Sequence, residues 1–405
     1  MTKMAESARN HPVLYSNGAL ADTRAGLLRL GTDILVIGDV IAWIAPSGER
    51  LPPETARIVD CDGATFVPGL VDCHSHVTGP GGANWIRRFS DPPSDLLAVA
   101  EHNGKIALDA GVRWMRDVGS PIGLDPEDGR ERALALTVRD RWEGRFDRPH
   151  IRAAGSWIFK EGSQPIPETV TAADGDELLE AALAQLADGA DLIKLYMDGP
   201  DPDTSPWTEH EVRKVVEAAH ANGGTVAAHS SRLAGARAAV LAGVDSIEHG
   251  FELDEDLART MADGGTFLVT TLAVMRSWLS FADTTNHERF TAEGGRATIE
   301  ARIRQAEESV RIAHRAGVAL ATGSDFGGGS LRANQLAWEV ESLVHAGIEP
   351  SEAMAAATWR GGELLGVAEA GVIAEGGPAD FFLVHGDPFS DPASLWRVWR
   401  TAWSP

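Results

Sequence analysis

Residues 63–77 read GATFVPGLVDCHSHV. Pro68 and Gly69 break an apolar run, and a second run ends on two histidines. Side chains alternate along a strand, so His74 and His76, two apart, project to the same side. Two imidazoles on one rigid edge grip a divalent metal well. Read alone, the pair also fits two ordinary polar residues at a strand end. The sequence on either side decides between these readings.

Upstream, from residue 12 to about 66, short apolar runs such as DILVIGDVIAWIAP are separated by Gly, Pro and Asp, the pattern of a small sheet with tight turns. Downstream, strand-like runs of four to six residues alternate with longer Ala, Leu and Glu-rich segments whose apolar positions recur at i, i+3 and i+4. The runs are GLVDCHSH, GVRWMRDVG, HIRAAGSW, ADLIKLYMD, GTVAAHSS, VDSIEHG, GTFLVTT and VALATGSDF. Between them, DELLEAALAQLADG, TEHEVRKVVEAAHANG and RLAGARAAVLAG read as helices closed by glycine. Eight βα units are what a closed barrel requires. After the eighth, PSEAMAAATWRGGELLG is helical, and GVIAEGGPADFFLVHGDP returns to turn, strand and turn. The expected fold is α/β, a distorted (β/α)8 TIM barrel over 67–365. A small β-sandwich domain is expected from both termini, 1–66 together with 366–405.

With 405 residues, 43% of them hydrophobic, the chain can bury a large core. Its 59 acidic against 36 basic residues give a net charge of -23, which disfavours nucleic acid and anionic membrane surfaces as partners. Cys61 and Cys73, the two cysteines, form no spaced disulfide framework. The first twenty residues lack an apolar leader core, and no long apolar run follows. The expectation is a cytoplasmic protein with a small-molecule or peptide substrate, compatible with homo-oligomerisation.

Metal-compatible residues end other strands as the histidines end the first: Lys194 in ADLIKLY, His229 in TVAAHSS, His249 in DSIEHG and Asp325 in ATGSDF. The C-terminal strand ends of a barrel open onto one face, so six distant residues converge where barrel enzymes place their chemistry. Arg116 and Asp117, at the end of the second strand, fit either substrate contacts or an internal ion pair. Asp72 is expected to orient a neighbouring histidine. Trp85, Trp157, Trp207 and Trp278 follow strand ends and fit either pocket walls or loop packing.

The series HSH, Lys, His, His, Asp on strands 1, 4, 5, 6 and 8 resembles the amidohydrolase superfamily. The surrounding GVRWMRDVGS, AGVDSIEHG and GVIAEGGPADFFLV narrow the resemblance to the imidazolonepropionase-like and metal-dependent prolidase (Xaa-Pro dipeptidase-like) subset. That resemblance implies one or two divalent metals, zinc by default. His74, His76 and Asp325 would hold a buried ion, His229 and His249 a more exposed one, and carboxylated Lys194 would bridge them. It implies amide (C–N) hydrolysis by an activated water, with Asp325 as proton shuttle. The substrate would be a dipeptide, an N-acyl amino acid or a modified peptide, such as one tailored in a natural-product pathway. Hydrolysis of a cyclic amide or deamination of a small heterocycle is the alternative. In HSSRLAG, Ser231 stands where relatives carry an aromatic, so Arg232, with Ser230 and Tyr196, becomes the expected substrate contact.

Overall fold

The computed structural model describes residues 11–163 and 169–403. The expected lack of a leader rests partly on residues 1–10, which lie outside the described residues. Eight parallel strands carry the central architecture: β1 (Leu70–Ser75), β2 (Val112–Asp117), β3 (His150–Ala153), β4 (Leu192–Tyr196), β5 (Thr225–Ser230), β6 (Ser246–His249), β7 (Phe267–Thr270) and β8 (Leu320–Thr322). Strands β1 to β3 pair in one arc and β4 to β8 in another. Isolated parallel bridges, Ala154 to Leu192 and Ser75 to Phe326, join the arcs at both ends, so the strand order returns to its start. Beside β4 the strand Ile158–Lys160 intrudes, pairing through Ile158 with Leu195, which distorts the β3–β4 seam.

Local chemistry explains the helices between the strands. Asp174 caps Gly175–Ala187 by accepting the N–H groups of Asp176 and Glu177. Thr208 and Glu211 form a reciprocal capping box on Glu209–Ala221. Helix Leu233–Ala242 stops at Gly243, where φ is 91°, a conformation that glycine adopts without a Cβ clash. The helices bury Ala, Leu and Val against the parallel strands in one continuous core.

The terminal strands form a separate seven-stranded mixed sheet. In it Ala64–Pro68 pairs antiparallel with Phe381–His385 and parallel with Val13–Asp22. The chain therefore changes sheets at Gly69, three residues beyond the boundary expected at 66. Tyr15, Phe66 and Phe381 meet edge to face in this sheet's own core, with centroids 5.1 to 6.5 Å apart. Both cysteines are buried and free. Among the described residues no helix is long and apolar enough to cross a membrane.

Candidate metal centre and active site

The β1–β8 seam builds the centre of the site. Asp325 donates its backbone N–H to the His74 carbonyl at 2.7 Å, and His76 donates to the Phe326 carbonyl at 3.0 Å. This register sets the Asp325 carboxylate between the two imidazoles, with Oδ1 3.5 Å from His74 Nε2 and 3.4 Å from His76 Nε2. The ligand atoms of the three buried residues lie within 4.8 Å of one another, a spacing that suits one ion. Asp325 has φ 51° and His249 has φ 73°, left-handed values that are strained for residues with a side chain. At His249 this breaks strand alternation, so it and Glu248 both turn toward the interior.

Each of the four histidines has one ring nitrogen already engaged. His74 Nδ1 lies 2.6 Å from Glu248 Oε2, His76 Nδ1 2.7 Å from the Gly119 carbonyl, and His249 Nδ1 2.7 Å from Thr271 Oγ1. For His229 the engaged atom is Nε2, 3.3 Å from Asp198 Oδ2. The opposite nitrogen of each ring is left to face a ligand, the arrangement by which outer partners aim metal-binding imidazoles. Burial, reinforced by Lys194 and His76, holds the His74 pKa well below its ordinary value. Burial and then His229 act likewise on His249, so both rings are neutral and fit to ligate. The His249 ring lies 4.7 Å from His74 and 4.5 Å from His229, whose side chain is 16% exposed. His229 and His249 do not join a third donor at the spacing of the first cluster among the described residues.

Lys194 is 1% exposed, and its Nζ has no hydrogen-bond partner among the described residues. Burial lowers its pKa to about 8 against the pull of the Glu248 carboxylate. An orphaned amine among carboxylates and imidazoles fits a group completed by carboxylation, and the set as a whole fits a divalent ion.

Glu248, Asp198 and Thr271 were not singled out from sequence. The usable signal was Ser246 and Glu248, polar residues at alternate positions of a buried strand. Glu248 Oε1 accepts from Ser246 Oγ at 2.6 Å and from Arg116 at 2.5 Å. Burial alone would raise its pKa, but Arg116 and Lys194 outweigh burial and hold it lowered.

Arg116 and Asp117 do not pair with each other. Adjacent on a strand, they point apart, and Asp117 instead accepts the N–H groups of Val77 and Gly119 at 2.6 and 2.9 Å. Asp72 does not orient an imidazole. It accepts the backbone N–H of His74 and two donors of Ser324, while Glu248 holds the His74 ring.

The expected substrate contacts lie beside His229. Tyr196 stacks on its ring at 3.8 Å and 12°, and Arg232 donates to the Gly199 carbonyl at 3.1 Å. The buried Ser230 hydroxyl is committed to Asp198 and the Arg232 carbonyl.

Residues 65–401 match the amidohydrolase family. The chain belongs to that family. By class this amidohydrolase is an amide-bond hydrolase. It is 29% identical over 401 residues to ochratoxinase of Aspergillus niger, covering 90% of this chain and 81% of the relative. To imidazolonepropionase of Deinococcus deserti it is 24% identical over 397 residues, covering 91% and 89%. A solved Xaa-Pro dipeptidase with bound methionine superposes with a TM-score of 0.80 at 25% identity, covering 96% of this chain and 97% of that one.

Proposed function

We propose that this amidohydrolase is a metal-dependent enzyme that cleaves the amide bond of a dipeptide, an N-acyl amino acid or a modified peptide. The observation that carries the reading is four histidines, each with one nitrogen held by an outer partner, grouped around Asp325 and the orphaned Lys194 amine. The eight-stranded ring is read as a distorted (β/α)8 barrel that begins after Gly69 rather than at 67 and runs to about 365, and the terminal segments on either side as the accompanying β domain. His74, His76 and Asp325 would hold one ion, His229 and His249 a second, and carboxylated Lys194 would lie between them. Zinc suits this mixed nitrogen and oxygen set. A divalent metal bound there supplies an activated water at neutral pH and an electrophile for the scissile carbonyl.

The chain's own residues do the rest. Asp325 Oδ1 faces the two imidazoles, while Oδ2 has no hydrogen bond among the described residues. That carboxylate accepts the proton released by the attacking water and returns it to the departing nitrogen. Glu248 and Asp198 keep His74 and His229 in place throughout. Arg232, which has guanidinium donors beyond the one used on Gly199, clamps the substrate carboxylate. Dipeptide and prolidase activity belongs by name to the structural neighbours, and it is their likeness that points to this substrate class.

The test is to incubate zinc-loaded protein, supplied with bicarbonate, with a panel of dipeptides and N-acyl amino acids, following primary amine and ammonia separately. Release of amino acids supports the reading. Ammonia alone would move the enzyme to deamination, and no release from the whole panel would reject the substrate class.

A further inference from the structure

Thr271 is the N-cap residue of helix Leu272–Thr284, yet its side chain makes no hydrogen bond to that helix. A threonine at this position ordinarily accepts the N–H of the second or third helical residue with its own hydroxyl. Here Oγ1 lies instead 2.7 Å from His249 Nδ1. Thr271, Leu272 and Ala273 are all buried, out of reach of bulk water, so the first turn of the helix needs an acceptor from within the protein.

That acceptor comes from another element. Glu339, on helix Leu336–His345, takes the N–H of Ala273, the second residue of the capped helix, with Oε2 at 2.7 Å. This is one of the two N–H groups that the Thr271 hydroxyl would otherwise claim. A carboxylate also suits the positive end of a helix. It is a costly choice of acceptor, since Glu339 is 0% exposed and its Oε1 has no hydrogen-bond partner among the described residues. Buried polar groups kept against stability are the mark of residues that serve a site.

We propose that Glu339 is a positioning residue for His249: by capping Ala273 from outside the helix, it leaves the Thr271 hydroxyl free to aim the imidazole. Without the Glu339 acceptor, Thr271 Oγ1 turns back to cap its own helix, and His249 loses the partner that sets which ring nitrogen faces the ion. Among the described residues no hydrogen bond or ion pair links Glu339 to a proposed metal ligand, so its effect passes through Thr271. This rests on the two-ion reading of the site, in which His229 and His249 hold the more exposed ion.

The experiment titrates metal-free protein with zinc and follows both ion positions by calorimetry in the wild type, Glu339→Gln, Glu339→Leu, Thr271→Val and the Glu339→Leu, Thr271→Val double variant. Glu339→Gln keeps an acceptor at the same reach, so its affinities should stay within about threefold of the wild type. Glu339→Leu and Thr271→Val should each weaken the ion at His229 and His249 by at least about tenfold, while the ion at His74, His76 and Asp325 stays. The double variant should be no weaker than Thr271→Val alone, because valine has no hydroxyl for the helix to recapture. Glu339→Asp, which keeps the charge but shortens the reach by one methylene, should behave as Glu339→Leu does and replaces it if that variant fails to fold. Imidazole nitrogen resonances of His249 in the metal-free protein give a readout independent of metal and turnover: one tautomer in the wild type and Glu339→Gln, and two in exchange in Glu339→Leu or Glu339→Asp. Undiminished affinity in both Glu339→Leu and Glu339→Asp, equal loss from both ion positions, or losses that multiply in the double variant would overturn the proposal. A wild type that binds no ion at His229 and His249 would remove the two-ion reading. The nitrogen resonances then decide the positioning role, and a single tautomer in every variant would overturn it.

Discussion

Asp325 combines two properties that separate readily by substitution. Its Oδ1 faces both His74 and His76, and its second oxygen is the proton acceptor proposed for turnover. Asp325→Asn keeps an amide oxygen able to ligate but cannot take the proton, so kcat should fall by roughly a thousandfold or more while most metal is retained. Elemental analysis beside steady-state kinetics checks this, and wild-type turnover would sink the assigned role. Asp198 acts differently, because it aims His229 from 3.3 Å and is itself held by Ser230 and the Ser231 N–H. Asp198→Asn should weaken metal affinity at the His229 position by about 10- to 100-fold while the ion at His74, His76 and Asp325 stays. Metal titration distinguishes the two positions, and equal loss from both would reject selective aiming. The residues proposed as ligands were legible because each closes an apolar run. Their supporting residues were not, because which ring nitrogen an acid three strands away will engage depends on register, and the turn at His249 that admits Glu248 beside it has no signature in DSIEHG.

At the level of elements, helix Leu336–His345 buries a carboxylate behind the end of β7. Glu339 is fully buried and accepts the Ala273 N–H at 2.7 Å, fixing the start of the helix that follows Thr271. Burial raises its pKa to about 7, with the hydrogen bond from the Ala273 N–H opposing. The folded state therefore binds this proton more tightly than the unfolded chain. Its stabilising effect is complete below the ordinary carboxyl range and is lost as pH rises through about 7. Glu339→Gln keeps an acceptor and removes the charge, so the variant's Tm should gain on the wild type as pH goes from about 5 to 8, by up to a few kcal/mol in stability. Parallel Tm curves across that range would show that burial does not strain this carboxylate. Glycine placement works at the same scale: a Cβ on Gly328 would run into the His76 imidazole, so the loop after β8 can close over the site only with glycine there. The sequence displayed FGGG, but not which ring it had to clear.

At the scale of the whole molecule, the ring and the terminal sheet are joined at a polar fastening. Arg113, on β2, donates from Nε to Asp380 Oδ1 at 2.7 Å and from Nη1 to the Arg148 carbonyl at 2.9 Å, with side-chain exposures of 4% and 6% for the Arg113–Asp380 pair. The Asp380 carbonyl also accepts the N–H of Gly69, the residue at which the chain passes from the terminal sheet to the ring, and Trp403 covers the guanidinium at 5.6 Å. Texture at the two termini made the shared sheet legible, since both ends read as short strands with turns, whereas this fastening joins residues 267 apart and leaves no local pattern. A buried ion pair that loses one member leaves an uncompensated charge, which costs about 3–5 kcal/mol, whereas replacing both members with apolar groups is often close to neutral. Arg113→Met should therefore lower the denaturation midpoint sharply, and Arg113→Met combined with Asp380→Leu should recover most of the loss. Two losses that simply add in the double variant would mean that the pair is not coupled and that the terminal sheet is held to the ring by apolar contact alone.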